Sequence, residues 1–141
     1  MTAAHGKFFA TMTKPLVFVY GSLRRGQRAH PRLRPAAVCL GSASIAGRLH
    51  DCGCYPAARP SRRPAERLRG ELYRLTRPGV LAALDRYEDC VPAAPGSGEY
   101  RREQVAVRLA GRCMTAWVYW HNGPLRGARR IRGGLWRGPG R

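Results

Sequence analysis

A short apolar run that ends in a glycine constrains this chain more than any other feature. Residues 16–20 (LVFVY) lead straight into residues 21–23 (GSL). An apolar run of this length, closed by a turn signal, is typical of a strand buried on both faces. Gly21 has no Cβ, so it permits a sharp turn and a close approach of a ligand to the backbone. We therefore expect a buried first strand that leads into a tight loop.

This loop has two interpretations on spacing alone: an ordinary tight turn, or a nest of amides that binds an anion. The amides of Gly21, Ser22 and Leu23 can converge on a carboxylate or a phosphate. The spacing from Gly21 to Gly26 resembles a phosphate loop, but residues 27–28 (QR) replace the required Lys and Ser or Thr. Ser22 also lacks the G-x-S-x-G frame of a serine nucleophile. The loop can therefore bind an anion but carries no nucleotide signature.

The charge of the chain is strongly positive, with 26 basic residues, 8 acidic residues and a net charge of +18. All but two of the basic residues are arginines, which suit phosphate binding. They are scattered over the whole sequence and no nucleic-acid-binding motif accompanies them. We interpret them as solvated surface charge, with at most nonspecific electrostatic binding to nucleic acid.

The length and the cysteine content of the chain indicate a single domain whose cysteines are reduced thiols. The chain has 141 residues, of which 44% are hydrophobic, enough for one core. The five cysteines are odd in number and contain no C-x-x-C, so neither a disulfide framework nor a zinc site is indicated; they are Cys39, Cys52, Cys54, Cys90 and Cys113. The apolar stretch at 8–10 (FFA) is too short for a signal peptide or a membrane span. We expect a cytoplasmic protein without membrane association: a flexible leader at 1–14, one domain at 15–137 and a tail at 138–141.

Periodicity predicts an α+β domain with a small, mostly closed β-sheet. Strands are expected at 16–20, 38–49, 68–75, 100–109 and 114–120, with loops at 51–60, 59–67 and 92–98. One amphipathic helix should start directly after a cap at Thr76, with Pro78 in its first turn, and end near 88–90. Residues 27–34 are predicted as a short helix or turn, and no periodicity is visible after Asn122.

Three of the eight acids cluster at the end of the predicted helix: Asp85, Glu88 and Asp89. Asp85 and Glu88 are three residues apart and share a helix face. The helix dipole and burial would raise the pKa of such a carboxyl, which suits proton transfer near neutrality. Alternatively, the three acids form surface ion pairs with the surplus arginines.

Five segments in order resemble the γ-glutamylcyclotransferase-like (AIG2-like) family, most closely its short bacterial members and the γ-glutamylamine cyclotransferases. The first is the opening signature at 17–26 (VFVYGSLRRG); the others are 55–57 (YPA), 70–73 (GELY), 84–88 (LDRYE) and the pair 100–102 (YRR) with 116–119 (AWVY). The resemblance extends over about residues 15–137. Asp89 stands where many members have glycine, so a second carboxylate adjoins Glu88.

The resemblance implies a small mixed β-barrel flanked by helices, with a cavity at its mouth. It also implies an enzyme that cyclises a γ-glutamyl group to 5-oxoproline and releases an amine or amino acid. Glu88 falls on the family's catalytic glutamate, and no metal or organic cofactor is implied. The loop of Tyr20, Gly21, Ser22 and Leu23 would bind the glutamyl α-carboxylate and amine.

Other site residues follow from the same resemblance. Tyr55 and Tyr100 would line the substrate pocket, as would Tyr119, although aromatic residues in strands are more often part of a core. The alternative function is a non-catalytic protein of the same fold that binds a small anion or nucleic acid.

Overall fold

The computed structural model describes residues 14–138. Within this range no helix is long and apolar enough to cross a membrane. The predicted leader at 1–14 lies outside the described residues except for Lys14, and so does the predicted tail except for Gly138.

Five strands form a closed barrel, in the order β1-β5-β2-β6-β7. Their bounds are β1 Leu16–Val19, β2 Ala37–Ala46, β5 Arg67–Leu75, β6 Tyr100–Leu109 and β7 Arg112–His121. Neighbouring strands are antiparallel except β1 and β7, which pair in parallel at Val17 and Trp117. The barrel is therefore mixed, and the predicted fold class is confirmed.

The predicted bent strand at 38–49 is two strands. β2 is interrupted by a bulge between Cys39 and Gly41, and the chain then continues as β3, Arg48–Asp51. A three-stranded sheet in the order β4-β3-β8 forms beside the barrel, with β4 at Pro56–Arg59 and β8 at Arg129–Ile131. The prediction of a loop over 51–60 is therefore wrong for 56–59. Proline is tolerated there because it opens an edge strand, where its missing N–H costs no ladder bond.

β1 is buried on both faces, as its sequence predicts. Phe18 and Tyr20 pack in one apolar cluster with Leu72 and Trp120, whereas Val17 and Val19 pack in a second cluster that contains residues of the helix. Because side chains alternate along a strand, a single strand can feed both clusters. β1 thus fixes the start of the loop at 21–23 relative to the barrel interior and to the helix.

Within residues 14–138 the one α-helix, α1, spans Val80–Tyr87, and two short 3₁₀ helices lie at His30–Arg32 and Arg34–Ala36. The prediction of Thr76 as the cap is wrong: the N-cap is Gly79, with φ of 87°, and no side chain caps the helix. The predicted end is confirmed, with Glu88 as the C-cap. Thr76 instead donates its amide to Ala36 O at 2.8 Å, at the end of the second 3₁₀ helix.

α1 ends in a Schellman motif that accounts for Asp89. The amide of Cys90 donates to Asp85 O at 2.8 Å, and the amide of Asp89 donates to Arg86 O at 3.3 Å. Asp89 has φ of 52°, a conformation that favours glycine and that aspartate tolerates better than most residues. The aspartate therefore occupies the family's glycine position at a local cost in backbone strain.

The arginine-rich segment after Asn122 is held to the domain by an ion-pair cluster. Glu66 accepts bonds from Arg48 Nε at 3.0 Å and from Arg130 Nη2 at 2.7 Å, and the Ser61 hydroxyl donates to it as well. These bonds lower the pKa of Glu66 to about 2. Trp136 is also buried, so this segment contributes to the core although its sequence shows no periodicity.

Candidate functional site

A cavity of about 220 Å³ opens beside the end of β1. It is lined by the predicted site residues without exception: Tyr20, Gly21, Ser22, Leu23, Tyr55, Glu88 and Tyr100. The remaining lining comes from Phe18, Val19, Pro56, Tyr87, Glu99 and Tyr119. β1, α1 and the start of β6 thus bring residues that are far apart in the sequence to one site.

The loop after β1 presents unpaired amides to this cavity. Among residues 14–138, the amides of Gly21, Ser22 and Leu23 donate no hydrogen bond to another backbone or side-chain acceptor. Gly21 is not in the positive-φ region, so its conformation alone does not demand glycine. A Cβ on Gly21 would instead lie 2.9 Å from Pro56 Cγ. Glycine is therefore required by the close approach of Pro56.

Glu88 is partly buried at the C-cap of α1, and it lines the cavity. Its carboxylate makes no ion pair within the described part of the chain. Burial raises the pKa of Glu88 to about 8, and the nearby Glu99 carboxylate adds to this effect. A carboxyl group in this range can both accept and return a proton near neutral pH.

Three tyrosines that line the cavity donate their hydroxyl hydrogens to acceptors within the protein. Tyr20 donates to Tyr119 O at 2.5 Å, Tyr100 donates to Pro56 O at 3.1 Å, and Tyr119 donates to Asp85 Oδ1 at 2.7 Å. Burial raises the pKa of each phenol, so all three stay protonated. Toward a ligand these hydroxyls can therefore only accept hydrogen bonds.

The other two acids of the predicted cluster have separate environments. Asp85 is buried and accepts bonds from Arg102 Nε and from the Tyr119 hydroxyl, each at 2.7 Å. Asp89 is exposed and accepts the Glu99 amide at 3.0 Å. Neither lines the cavity. Of the three acids, Asp85 is the one that pairs with an arginine within residues 14–138, and this pair is buried rather than on the surface.

Sequence reasoning did not identify Glu99 or Tyr87 as site residues. Glu99 precedes β6 and is exposed at the cavity; Tyr87 is the last residue of α1, and its hydroxyl lies 2.9 Å from Ser22 Oγ. Glu99 adjoins the family-like segment at 100–102, but nothing in the local sequence separates it from a surface acid. Tyr87 lies within the family-like segment at 84–88, and its spacing is also that of a core residue.

The cavity offers both donors and acceptors to a ligand. The unpaired amides of the loop lie at the end of β1, whereas Glu88, Glu99 and the tyrosine oxygens supply acceptors. An α-amino acid needs this arrangement, because its carboxylate requires donors and its ammonium requires acceptors. Among residues 14–138, no group of three or more His, Cys, Asp or Glu side chains is arranged to hold a metal ion.

Comparison with known proteins identifies the family of this chain. A family model described as "Gamma-glutamyl cyclotransferase, AIG2-like" matches residues 17–138. The gamma-glutamylcyclotransferase family protein YtfP of Escherichia coli strain K12 is 32% identical over 121 residues, which cover 85% of this chain and 94% of YtfP. A gamma-L-glutamyl-butirosin B gamma-glutamyl cyclotransferase of Niallia circulans is 29% identical over 109 residues, 77% of this chain and 67% of that protein.

Solved structures show the same fold. The solution structure of Escherichia coli YtfP has a TM-score of 0.62 at 31% identity, and the match covers 86% of this chain and 96% of that chain. The crystal structure of a mouse AIG2-like protein has a TM-score of 0.65 at 23% identity, with coverage of 81% and 82%. On the family match and the identity to YtfP, the chain belongs to the γ-glutamylcyclotransferase (AIG2-like) family.

Proposed function

We propose that this protein cyclises the γ-glutamyl group of a small substrate to 5-oxoproline and releases a free amine or amino acid. Glu88 is the general acid and base in this proposal. The unpaired amides of Gly21, Ser22 and Leu23 bind the α-carboxylate. The observation that carries the proposal is the partner-free Glu88, with a pKa of about 8, in the same cavity as these amides.

The proposed reaction needs proton transfer and little else from the protein. The α-amine of the γ-glutamyl group, once it has lost a proton, attacks its own γ-carbonyl carbon, and Glu88 takes the proton that this nitrogen loses. The tetrahedral intermediate collapses with cleavage of the bond to the leaving nitrogen, to which Glu88 returns the proton. Nucleophile and electrophile belong to one molecule, so no covalent enzyme intermediate is required.

The dimensions of the cavity support a γ-glutamyl substrate. Its volume of about 220 Å³ is below the roughly 300–1,000 Å³ of pockets that enclose whole drug-sized ligands. A cavity of this size suits one amino-acid residue, with the rest of the substrate at the mouth. The γ-glutamyl residue inside the cavity then carries the α-carboxylate, which the loop amides can bind, and the α-ammonium, which the acceptor groups can bind.

A panel of γ-glutamyl compounds tests the proposal directly. γ-Glutamyl dipeptides, γ-glutamyl amines and the γ-glutamyl-ε-lysine isopeptide are incubated with the protein, and 5-oxoproline is quantified by mass spectrometry. We expect product from at least one class, and none after boiling the protein. The absence of 5-oxoproline from every compound would refute the activity and favour the non-catalytic binding protein.

The amide loop makes a prediction of its own: Gly21→Val impairs substrate binding more than Ser22→Ala does. A valine side chain would collide with the ring of Pro56, and this displaces the carbonyl that accepts the Tyr100 hydroxyl. Ser22→Ala removes one hydrogen bond to Tyr87 and leaves the amides in place. We expect KM to rise more than tenfold for Gly21→Val and less than about fivefold for Ser22→Ala, because one neutral hydrogen bond contributes about 1 kcal/mol.

Steady-state kinetics on the best compound of the panel measures both variants, and circular dichroism confirms that each is folded. A larger rise in KM for Ser22→Ala would contradict the amide model and assign substrate binding to the Ser22 hydroxyl.

A further inference from the structure

The cavity contains acidic side chains in a protein that is otherwise strongly basic. The chain carries 26 basic and 8 acidic residues, yet the lining that residues 14–138 supply contains Glu88 and Glu99 and no arginine, lysine or histidine. Glu88 is accounted for by the proposed proton transfer. Glu99 transfers no proton in that chemistry; its carboxylate adds to the raised pKa of Glu88 and is a second acid at the cavity, whose effect on the substrate is a separate question.

The backbone of Glu99 is held in place from two sides. Its amide donates to Asp89 Oδ2 at 3.0 Å, and its carbonyl accepts the Asn122 amide at 2.8 Å. The Asn122 side chain also donates to Gly98 O at 2.9 Å, which fastens the preceding loop. The position of Glu99 at the cavity is thus defined by the protein and does not depend on a ligand.

The carboxylate of Glu99 is left available by these contacts. Within the described residues it forms no ion pair, although arginines are abundant on the surface. Glu99 is exposed whereas Glu88 is partly buried, so Glu99 lies at the mouth and Glu88 deeper. If the γ-glutamyl group occupies the interior, the leaving group passes the mouth and meets Glu99.

We propose that Glu99 determines specificity by favouring γ-glutamyl substrates whose leaving group carries a positive charge, and by disfavouring those whose leaving group carries a carboxylate. This inference rests on the proposed function for the orientation of the substrate. Exposed charge pairs contribute up to about 1 kcal/mol each. Attraction of a cation and repulsion of an anion act together, so Glu99 should account for a roughly 5- to 30-fold preference.

The test uses three γ-glutamyl amides with leaving groups of the same chain length: 4-aminobutylamine, butylamine and 4-aminobutyrate. Their distal ends are cationic, neutral and anionic. Binding to Glu88→Gln is measured by calorimetry at low and at high salt, so that affinity is read without turnover. We expect the cationic compound to bind roughly 5- to 30-fold more tightly than the anionic one at low salt, and less selectively at high salt.

The same measurement on Glu88→Gln/Glu99→Gln should remove most of this preference. Glu103→Gln in the Glu88→Gln background is the matched control, because Glu103 is an exposed glutamate of β6 that does not line the cavity. An unchanged preference in the Glu99 variant, an equal change in the Glu103 control, or no binding of any compound would overturn the inference. Selective binding that depends on Glu99, without 5-oxoproline from wild type, would refute the proposed function and would still assign to Glu99 the recognition of a cationic group at the cavity.

Discussion

Replacing Glu88 with glutamine should lower kcat by about 10²–10⁴-fold while the protein remains folded. Glutamine keeps the size and hydrogen-bonding reach of glutamate, but it cannot accept and return a proton. A surface glutamate paired with arginine would give a different result, because its loss should spare activity and cost under about 1 kcal/mol of stability. The measurement is steady-state formation of 5-oxoproline on the best substrate of the panel.

The pH dependence provides a second readout of the same variant. Because the pKa of Glu88 is about 8, the fraction of basic carboxylate rises with pH through this value. We expect kcat/KM of wild type to rise across pH 7–9, with an apparent pKa near 8 in the pH profile. The profile of the residual activity of Glu88→Gln should lack this apparent pKa. The substrate ammonium titrates in both proteins and therefore cancels in the comparison.

Thermal unfolding should separate lost chemistry from lost structure. The pKa of Glu88 is raised from its ordinary value of about 4.5 to about 8 in the folded state. Between these values the unfolded chain ionises more readily, so the folded protein loses stability as pH rises through this window. Glu88→Gln lacks this penalty, and its Tm should exceed that of wild type at pH 8–9 but match it near pH 4.

Asp89→Asn is the appropriate control for Glu88→Gln. Asp89 is exposed, and asparagine keeps an oxygen that can accept the Glu99 amide. Asp89→Asn removes a charge next to Glu88 without touching the cavity, so we expect activity within about threefold of wild type. The free energy of unfolding should change by under about 0.5 kcal/mol, as is usual for surface substitutions. Equal activity of Glu88→Gln and wild type would contradict the mechanism, and equal losses in both variants would indicate a general electrostatic effect.

The sequence predicts those parts of the fold and site whose causes are local. The side chains of residues 16–20 alternate between two apolar clusters, so the apolar sequence of the strand is enough to predict its burial. α1 likewise follows from its apolar spacing and its C-terminal turn. Glu88 could be assigned to the cavity because the loop and the helix end both resemble family segments in the right order.

The remaining features depend on contacts between distant segments. Glu99 reaches the cavity because Asn122 and Asp89 hold its backbone, and neither contact is visible in the residues around it. β4 exists because β3 offers it an edge, although it begins with Pro56. Trp136 is buried against strands that precede it by dozens of residues, so no periodicity near it could show the contact.

The environment of Asp85 also depends on contacts that its local sequence does not reveal. We expect Asp85→Asn to lower the free energy of unfolding by about 3 kcal/mol. Its spacing from Glu88 predicts a shared face, but in the structure it lies in a buried network behind the cavity wall. The side chains of Asp85 and Arg102 are only 9% and 16% exposed, and the Arg102 guanidinium also lies 4.2 Å from the ring centre of Trp117. Asparagine would leave this buried positive charge without its counter-charge, which is the costly way to break such a pair.

The loss is measured by urea and thermal unfolding, with an expected fall in Tm of roughly 10 °C for a domain of this size. Asp85→Asn/Arg102→Met removes both charges and should recover part of the stability, because the cost comes from the unpaired charge. Activity should fall only modestly in the folded fraction, since Asp85 positions Tyr119 and does not touch the substrate. A stability loss below about 1 kcal/mol, the range of a surface ion pair, would show that the network does not support the cavity wall.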